Sequence, residues 1–302
     1  MKAGANPNKP IPDPDSHAYT PFDRAIISLK DGLDLEVVDL LLETGRCSIN
    51  SGRDPESTAF SFVLGKASEW ASGVADTLAI RMIDSIPDVE KDRDQIGCSL
   101  LHVAIHHQRK DIVDLLLSKG MSIDVVADAG YTPFIQACQY SPKMVPFLVE
   151  LGANIHTKYK SNAGALHAAA VEGNLETLTY LIDLGMKLEE YTAKGYTPLA
   201  CALTWEQEAA ALELLKRGAS IKWTTRERKL TALHFAARNG MEKMVTHLVK
   251  MGAGVNVLDA KGWSPLHEVH TTILLSVSDT NLCLGMRNRD DHHRDSPSRC
   301  RR

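Results

Sequence analysis

Apolar positions in residues 231–256, TALHFAARNGMEKMVTHLVKMGAGVN, fall into two short runs of helical period. Thr231 and Ala232 open the first, in which Leu233, Ala236 and Ala237 share a face, because residues three and four apart are neighbours on a helix. Asn239-Gly240 interrupts it, since both residues tolerate positive φ. Met244, Val245, Leu248 and Val249 then resume helical spacing, and Gly252 ends the second run as a helix C-cap glycine does. The residues from Ala253 through Gly262 read as an extended finger leading into the next stretch.

The same pattern recurs at 99–123 (Ile112, Val113, Leu116, Leu117, Gly120), at 164–188 (Gly173, Leu178, Leu181, Ile182, Gly185) and at 197–221 (Leu212, Leu214, Leu215, Gly218). The stretch 132–155 is one residue shorter, with Pro142 at the start of its second helix, where no N–H partner is lost. The phrases SLLHVAI, YTPFIQA, GALHAAA, YTPLACA, LTALHFAA and WSPLHEV mark these repeats. Taking the first residue of "TPLH" or its replacement as slot one gives Thr20, Thr58, Ser99, Thr132, Gly164, Thr197, Thr231 and Ser264, at successive intervals of 38, 41, 33, 32, 33, 34 and 33. A period of about 33 with this phrase predicts a solenoid of helical pairs in which each repeat touches only its neighbours.

These repeats resemble ankyrin repeats, whose phrase runs roughly G-x-TPLHxAAxxGhxxvVxxLLxxGAdvn, and the resemblance covers about residues 17–270. It implies an all-α ankyrin-repeat solenoid of about seven to eight helix-turn-helix repeats with short β-hairpin fingers. The first repeat carries about four extra residues, SLKDGLD, between its helices. The second keeps only TAF and the segment ADTLAIRMIDSI. The eighth begins with GWSPLHEV, but no second-helix phrase follows Val269. Ile273, Leu274, Leu275 and Val277 then suit either an unusual cap helix or a truncated or alternatively read C-terminus. The Pro-rich residues 1–16 read as a disordered lead, and residues 271–302 as an atypical, mostly disordered tail.

Composition narrows the function classes. The 302 residues are 44% hydrophobic, enough for a folded chain. The net charge of −4 divides unevenly: residues 1–151 hold 14 Lys+Arg against 22 Asp+Glu (−8), and residues 152–302 hold 20 against 16 (+4). No continuous basic stripe suggests nucleic acid as a partner. Six cysteines, at 47, 98, 138, 201, 283 and 300, form no CxxC pair, which suits a reducing compartment, cytoplasmic or nuclear. The polar N-terminus lacks a signal-peptide core, and no run reaches the roughly 20 apolar residues of a membrane span.

Catalytic and metal signatures are missing: no GxSxG, GxxxxGK[ST] or GxGxxG is present. His102, His167, His234 and His267 occupy the same slot of successive repeats, so they do not converge on one ion. The resemblance implies that each fastens the turn into its helix. His267 and His270 are spaced i,i+3, one residue short of a zinc-binding pair. The adjacent pairs His106-His107 and His292-His293 point about 100° apart on a helix. The expected protein is a non-enzyme with no cofactor and no metal.

The resemblance further implies a protein partner on the concave side, met by outward positions of the first helices and by the finger tips. Slot eight gives His106, Gln139, Val171, Thr204 and Arg238; slot nine gives His107, Tyr140, Glu172, Trp205 and Asn239. The fingers add Asp128, Tyr159, Lys160, Lys194, Lys261 and Trp263. Tyr140 and Trp205 are the sharpest anchors, because large aromatics dominate protein contacts. The finger between Gly218 and Thr231 is one residue longer and carries Lys222, an exposed Trp223, Arg226, Arg228 and Lys229, suited to an acidic peptide. Asn256, with Val255 and Leu248, fits the pattern of a hydroxylated finger asparagine. The expectation is a monomeric scaffold or adaptor for an unidentified protein partner. The alternative is a recognition or regulatory subunit of a larger enzyme complex, such as a ubiquitin ligase or phosphatase.

Overall fold

A computed structural model describes residues 20–27, 29, 35–44, 47–50, 58–70, 73–94, 97–128, 130–159 and 161–269. The lead 1–16, the tail 271–302 and Lys160 lie outside them. The first helices of seven repeats begin one residue after their markers: α1 Pro21–Ile27, α3 Ala59–Gly65, α5 Leu100–His106, α7 Pro133–Tyr140, α9 Ala165–Glu172, α11 Pro198–Thr204 and α13 Ala232–Arg238. Their partners are α2 Glu36–Glu43, α4 Val74–Asp84, α6 Lys110–Ser118, α8 Val145–Glu150, α10 Leu175–Asp183, α12 Glu208–Lys216 and α14 Glu242–Lys250. A last helical turn spans 265–269. Even the weak second repeat forms both its helices. No helix among the described residues is long and apolar enough to cross a membrane.

The chain divides into two compact bodies, the first holding described residues up to 137 together with 143–155, the second holding 138–142 and 156–269. In the first body α3 packs against α1 and α5. In the second, α11 packs against α9 and α13, and α10 against α12. Slot three drives this stacking. Phe22, Phe60, Leu101, Phe134, Leu166, Leu199 and Leu233 are all buried, each burial contributing roughly 1.5–3 kcal/mol. Leu266, in the same slot, is 75% exposed. Small residues at slot six, Ala104, Ala137, Ala169, Ala202 and Ala236, are buried as well and let neighbouring first helices approach.

The slot-four side chain ties the turn to the helix. In His102, Nδ1 accepts from the Ser99 N–H at 3.2 Å and pairs with the Ser99 hydroxyl at 2.9 Å. The other ring nitrogen lies 3.3 Å from the Tyr131 carbonyl of the next repeat, so it donates and the ring is neutral. His167 bonds Gly164 N–H and the Glu190 and Tyr196 carbonyls likewise; His234 joins Thr231 to the Trp263 carbonyl. His267 reaches Ser264 in the same way. Asp23 replaces the histidine in the first repeat, its carboxylate accepting from the Thr20 N–H at 2.8 Å and hydroxyl at 2.7 Å.

The expected β-hairpin fingers are turns instead. Among the described residues the one β-bridge joins Arg93 and Ser99. Elsewhere two backbone bonds close each finger: an outer N–H to carbonyl from Ala127 to Tyr131, Tyr159 to Ala163, Thr192 to Tyr196 and Asp259 to Trp263 at 2.8–3.1 Å, and an inner one from Gly130 to Ala127, Asn162 to Tyr159, Gly195 to Thr192 and Gly262 to Asp259 at 2.7–3.0 Å. Three residues lie between the outer bonded groups, and no ladder extends from them among the described residues. The extra residue of the 218–231 finger widens the closure to Thr225–Leu230, with Lys229 in the left-handed region at φ 52°. Neighbouring fingers are tied by Arg226 N–H to the Lys194 carbonyl and Ala260 N–H to the Arg228 carbonyl.

Three outcomes test these contacts. Leu181 is fully buried in α10, so Leu181→Ala should cost about 2–5 kcal/mol in denaturant unfolding. Between helices the backbone turns left-handed at Gly173 and Gly240, but at Gln108 and Glu206 in two other repeats. Glu206→Gly should therefore raise stability by about 0.5–1 kcal/mol, the relief of left-handed strain less the chain entropy of glycine; a lower melting temperature would contradict it. Burial depresses His102, His107 and His167 from the ordinary 6.5 to about 4. A depressed histidine stabilises the fold fully above pH 6.5, and that contribution is lost as pH falls towards 4. For the fully buried His102 this amounts to something on the order of 3 kcal/mol. Melting temperature should fall steeply between pH 6.5 and 4, and less steeply in His102→Gln.

Candidate functional site

Slots eight and nine end each first helix, and the structure divides the residues there into two kinds. Several are consumed by the fold. Gln139 is 4% exposed, and its amide donates to Glu172 at 3.2 Å, so it is not the outward group expected. The Asn239 amide donates to the Leu203 carbonyl at 2.7 Å, reinforcing the end of α11, where that carbonyl otherwise accepts only a long 3.4 Å bond from the Glu206 N–H. The Thr204 hydroxyl donates back to the Ala200 carbonyl. In the first body, His107 reaches the Ser61 hydroxyl at 2.7 Å, stands edge-on to His106 at 5.2 Å and is held neutral by burial. The rest keep a half-exposed side chain: His106, Tyr140, Val171, Glu172, Trp205 and Arg238. All but His106 belong to the second body.

The fingers separate likewise. Lys222 and Arg226 are exposed. Trp223, expected at the surface, is only 4% exposed, because its indole packs on Phe235 with ring centroids 6.0 Å apart. Tyr196 leans on the same Phe235 at 5.7 Å. Half-buried Trp263 lies under the Lys261 ammonium at 5.5 Å. Arg228 is half-buried rather than free in solvent, and its guanidinium stands 3.5 Å from Glu268.

Slot five, three residues before slot eight and hence on the same helix face, escaped the sequence reading. In the second body it holds Ala168, Cys201, Phe235 and Glu268. Glu268 is buried, and Arg228 and Arg238 both approach its carboxylate, at 3.5 and 3.9 Å. Burial drives the Cys201 thiol up to about 12, so it stays protonated and inert. The change from small residues in slot five to Phe235 and then Glu268 was the available signal.

Chemically, the face offers aromatic surface and guanidinium groups, which suit polar and aromatic recognition. Among the described residues no cluster of His, Cys, Asp or Glu could hold a metal ion. A shallow groove of about 530 Å³ between α10 and α12 is lined by Leu175, Thr179, Ala209, Leu212, Glu213 and Lys216. Its carboxylate, Glu213, is engaged by Arg217 at 2.8 Å and held below its ordinary value by that bond, so it supplies no general base.

Comparison with known proteins agrees with this architecture. The family model described as ankyrin repeats (3 copies) matches residues 71–159, 156–225 and 212–269. Mouse Rabankyrin-5 is 27% identical over 189 residues, 57% of this chain and 16% of its own length. A probable E3 ubiquitin-protein ligase of rice is 32% identical over 162 residues, 52% of this chain and 31% of its own. The probable 26S proteasome regulatory subunit p28 of Saccharomyces cerevisiae is 28% identical over 191 residues, 61% of this chain and 69% of its own. The chain thus spans a minor part of the first two relatives. With about two thirds of its length matched in register by the family model, the chain belongs to the ankyrin repeat family.

Proposed function

We propose that this chain is a non-catalytic adaptor that grips a protein partner on the finger-side face of its first helices. Ankyrin repeats serve protein–protein interaction, and this fold is generally non-catalytic. One observation carries the finer reading. In the second body, half-exposed side chains that differ from repeat to repeat (Tyr140, Glu172, Trp205 and Arg238) stand over a buried core of nearly uniform composition. A rigid scaffold lets the partner bind without paying to order the site, and varied outward groups select among partners. Cys47, Cys138 and Cys201 are free thiols, in keeping with a cytoplasmic or nuclear location. The relatives named as a ubiquitin ligase and a proteasome regulatory subunit favour a second reading, a recognition or regulatory subunit within a larger enzyme complex.

Affinity purification of the tagged chain with mass spectrometry, repeated with Trp205→Ala and Tyr140→Ala, tests the reading. Each variant should melt within a few degrees of the parent and recover roughly tenfold less partner, the loss expected of an aromatic anchor. Unfolding of Trp205→Ala would make that residue core and sink the face assignment. Recovery of ligase or proteasome components would favour the second reading.

A further inference from the structure

Slot nine sets Tyr140, Glu172 and Trp205, all in the second body, in a row: a carboxylate between two half-exposed aromatics. Three contacts hold the row together. The Gln139 amide donates to the Glu172 carboxylate at 3.2 Å. The Asn239 amide reaches the Leu203 and Thr204 carbonyls at 2.7 and 3.4 Å. Gly173 lets the Gln207 side chain come so near that a Cβ at 173 would collide with it, which seats the turn carrying Trp205 and Glu206 against the end of α9.

Charge along the helix-to-helix turns of this body is lopsided. Glu172, Glu176, Glu206, Glu208 and Glu242 stand there against Arg238 and Lys243, and Arg238 already faces Glu268 at 3.9 Å. Glu176, Glu208 and Glu242 lie in the first turns of α10, α12 and α14, where the helix macrodipole favours an anion. Glu172 and Glu206 have no such reason to be acidic. Glu172 is the last residue of α9, the end at which the macrodipole disfavours a carboxylate. Glu206 is exposed and takes a left-handed φ of 58°, whereas Gly173 and Gly240 fill the same slot without strain. Among the described residues no donor or cation engages the Glu206 carboxylate. Two carboxylates placed at local cost thus flank the Trp205 ring.

We propose that this edge binds a basic segment of a partner protein, with an Arg or Lys side chain lying over the Trp205 ring between Glu172 and Glu206. An indole face attracts a cation held within about 6 Å of the ring centroid. A guanidinium adds parallel N–H donors that match a carboxylate. Neighbouring first helices pack about 8–10 Å apart, so an extended nonapeptide, about 30 Å long, covers the row from Trp205 to Tyr140, where a second ring stands. This binding mode rests on the adaptor reading and gives its partner a charge.

The full chain, immobilised, is offered two fluorescent nonapeptide libraries, acetylated and amidated. One has Arg at alternate positions with uncharged random residues between; the other has Gln in place of Arg. The parent should retain the Arg library about tenfold better than the Gln library, and Trp205→Ala should lose most of that margin. Glu206→Gly separates recognition from support. Relieved of its left-handed strain it should melt higher, yet it should retain the Arg library several-fold less, and Glu206→Gln should lose as much. Gln108→Gly relieves the same strain in the first body and should leave retention unchanged, as should Glu242→Gln. Equal retention of the two libraries, parental retention by both Glu206 variants, or a loss in Glu242→Gln as large as theirs overturns the proposal. Partner recovery from cells that falls with Trp205→Ala but not with Glu206→Gln would sink the basic segment and leave the adaptor reading standing.

Discussion

Everything in this fold depends on a large apolar side chain at slot three that its own helical pair is too small to cover. A pair of helices of six to eleven residues has no interior, so Leu166 or Leu199 leaves water only when the neighbouring first helix closes over it. Leu266, in the same slot of the last helical turn, is 75% exposed. Stability here is a sum of neighbour interfaces rather than the property of one central core.

That constraint explains how the polar groups are used. First helices packed at the distance set by alanine at slot six bring each finger close to the next repeat. The histidine of slot four then spans the step, holding its own turn with one ring nitrogen and the next finger's carbonyl with the other. Its neutrality follows from this double use, because a protonated ring could not accept from the turn. The Asn239 amide reinforces a helix of the preceding repeat by the same logic, crossing the interface to a carbonyl whose other bond is long.

The candidate site is a by-product of the same geometry. Once slots three, four and six are committed to stacking, slots five, eight and nine and the finger flanks remain to vary. Arg228, Arg238 and Glu268 come from the long finger of the seventh repeat, the first helix of that repeat and the last helical turn, and they meet because two repeats stack. The extra finger residue, absorbed by left-handed Lys229, sits one position after Arg228.

The sequence by itself determined the repeat period and the start of each first helix, and its resemblance to ankyrin repeats implied the fastening role of the histidines. These features are local: the phrase from Thr231 to Ala237 carries its own cap, apolar face and turn, and repetition amplifies the signal. It also placed Tyr140, Glu172, Trp205 and Arg238 on the exposed edge of the first helices. Tertiary structure alone decided that Trp223 and Gln139 are covered, that Thr204 and Asn239 spend their polar groups on backbone, and that slot five joins the candidate site. Coverage depends on what the adjacent repeat places overhead, and helical period within one repeat holds no record of its neighbour. The fingers follow the same division: their turn residues were plain in the chain, but that turns rather than ladders close them was visible only in the fold.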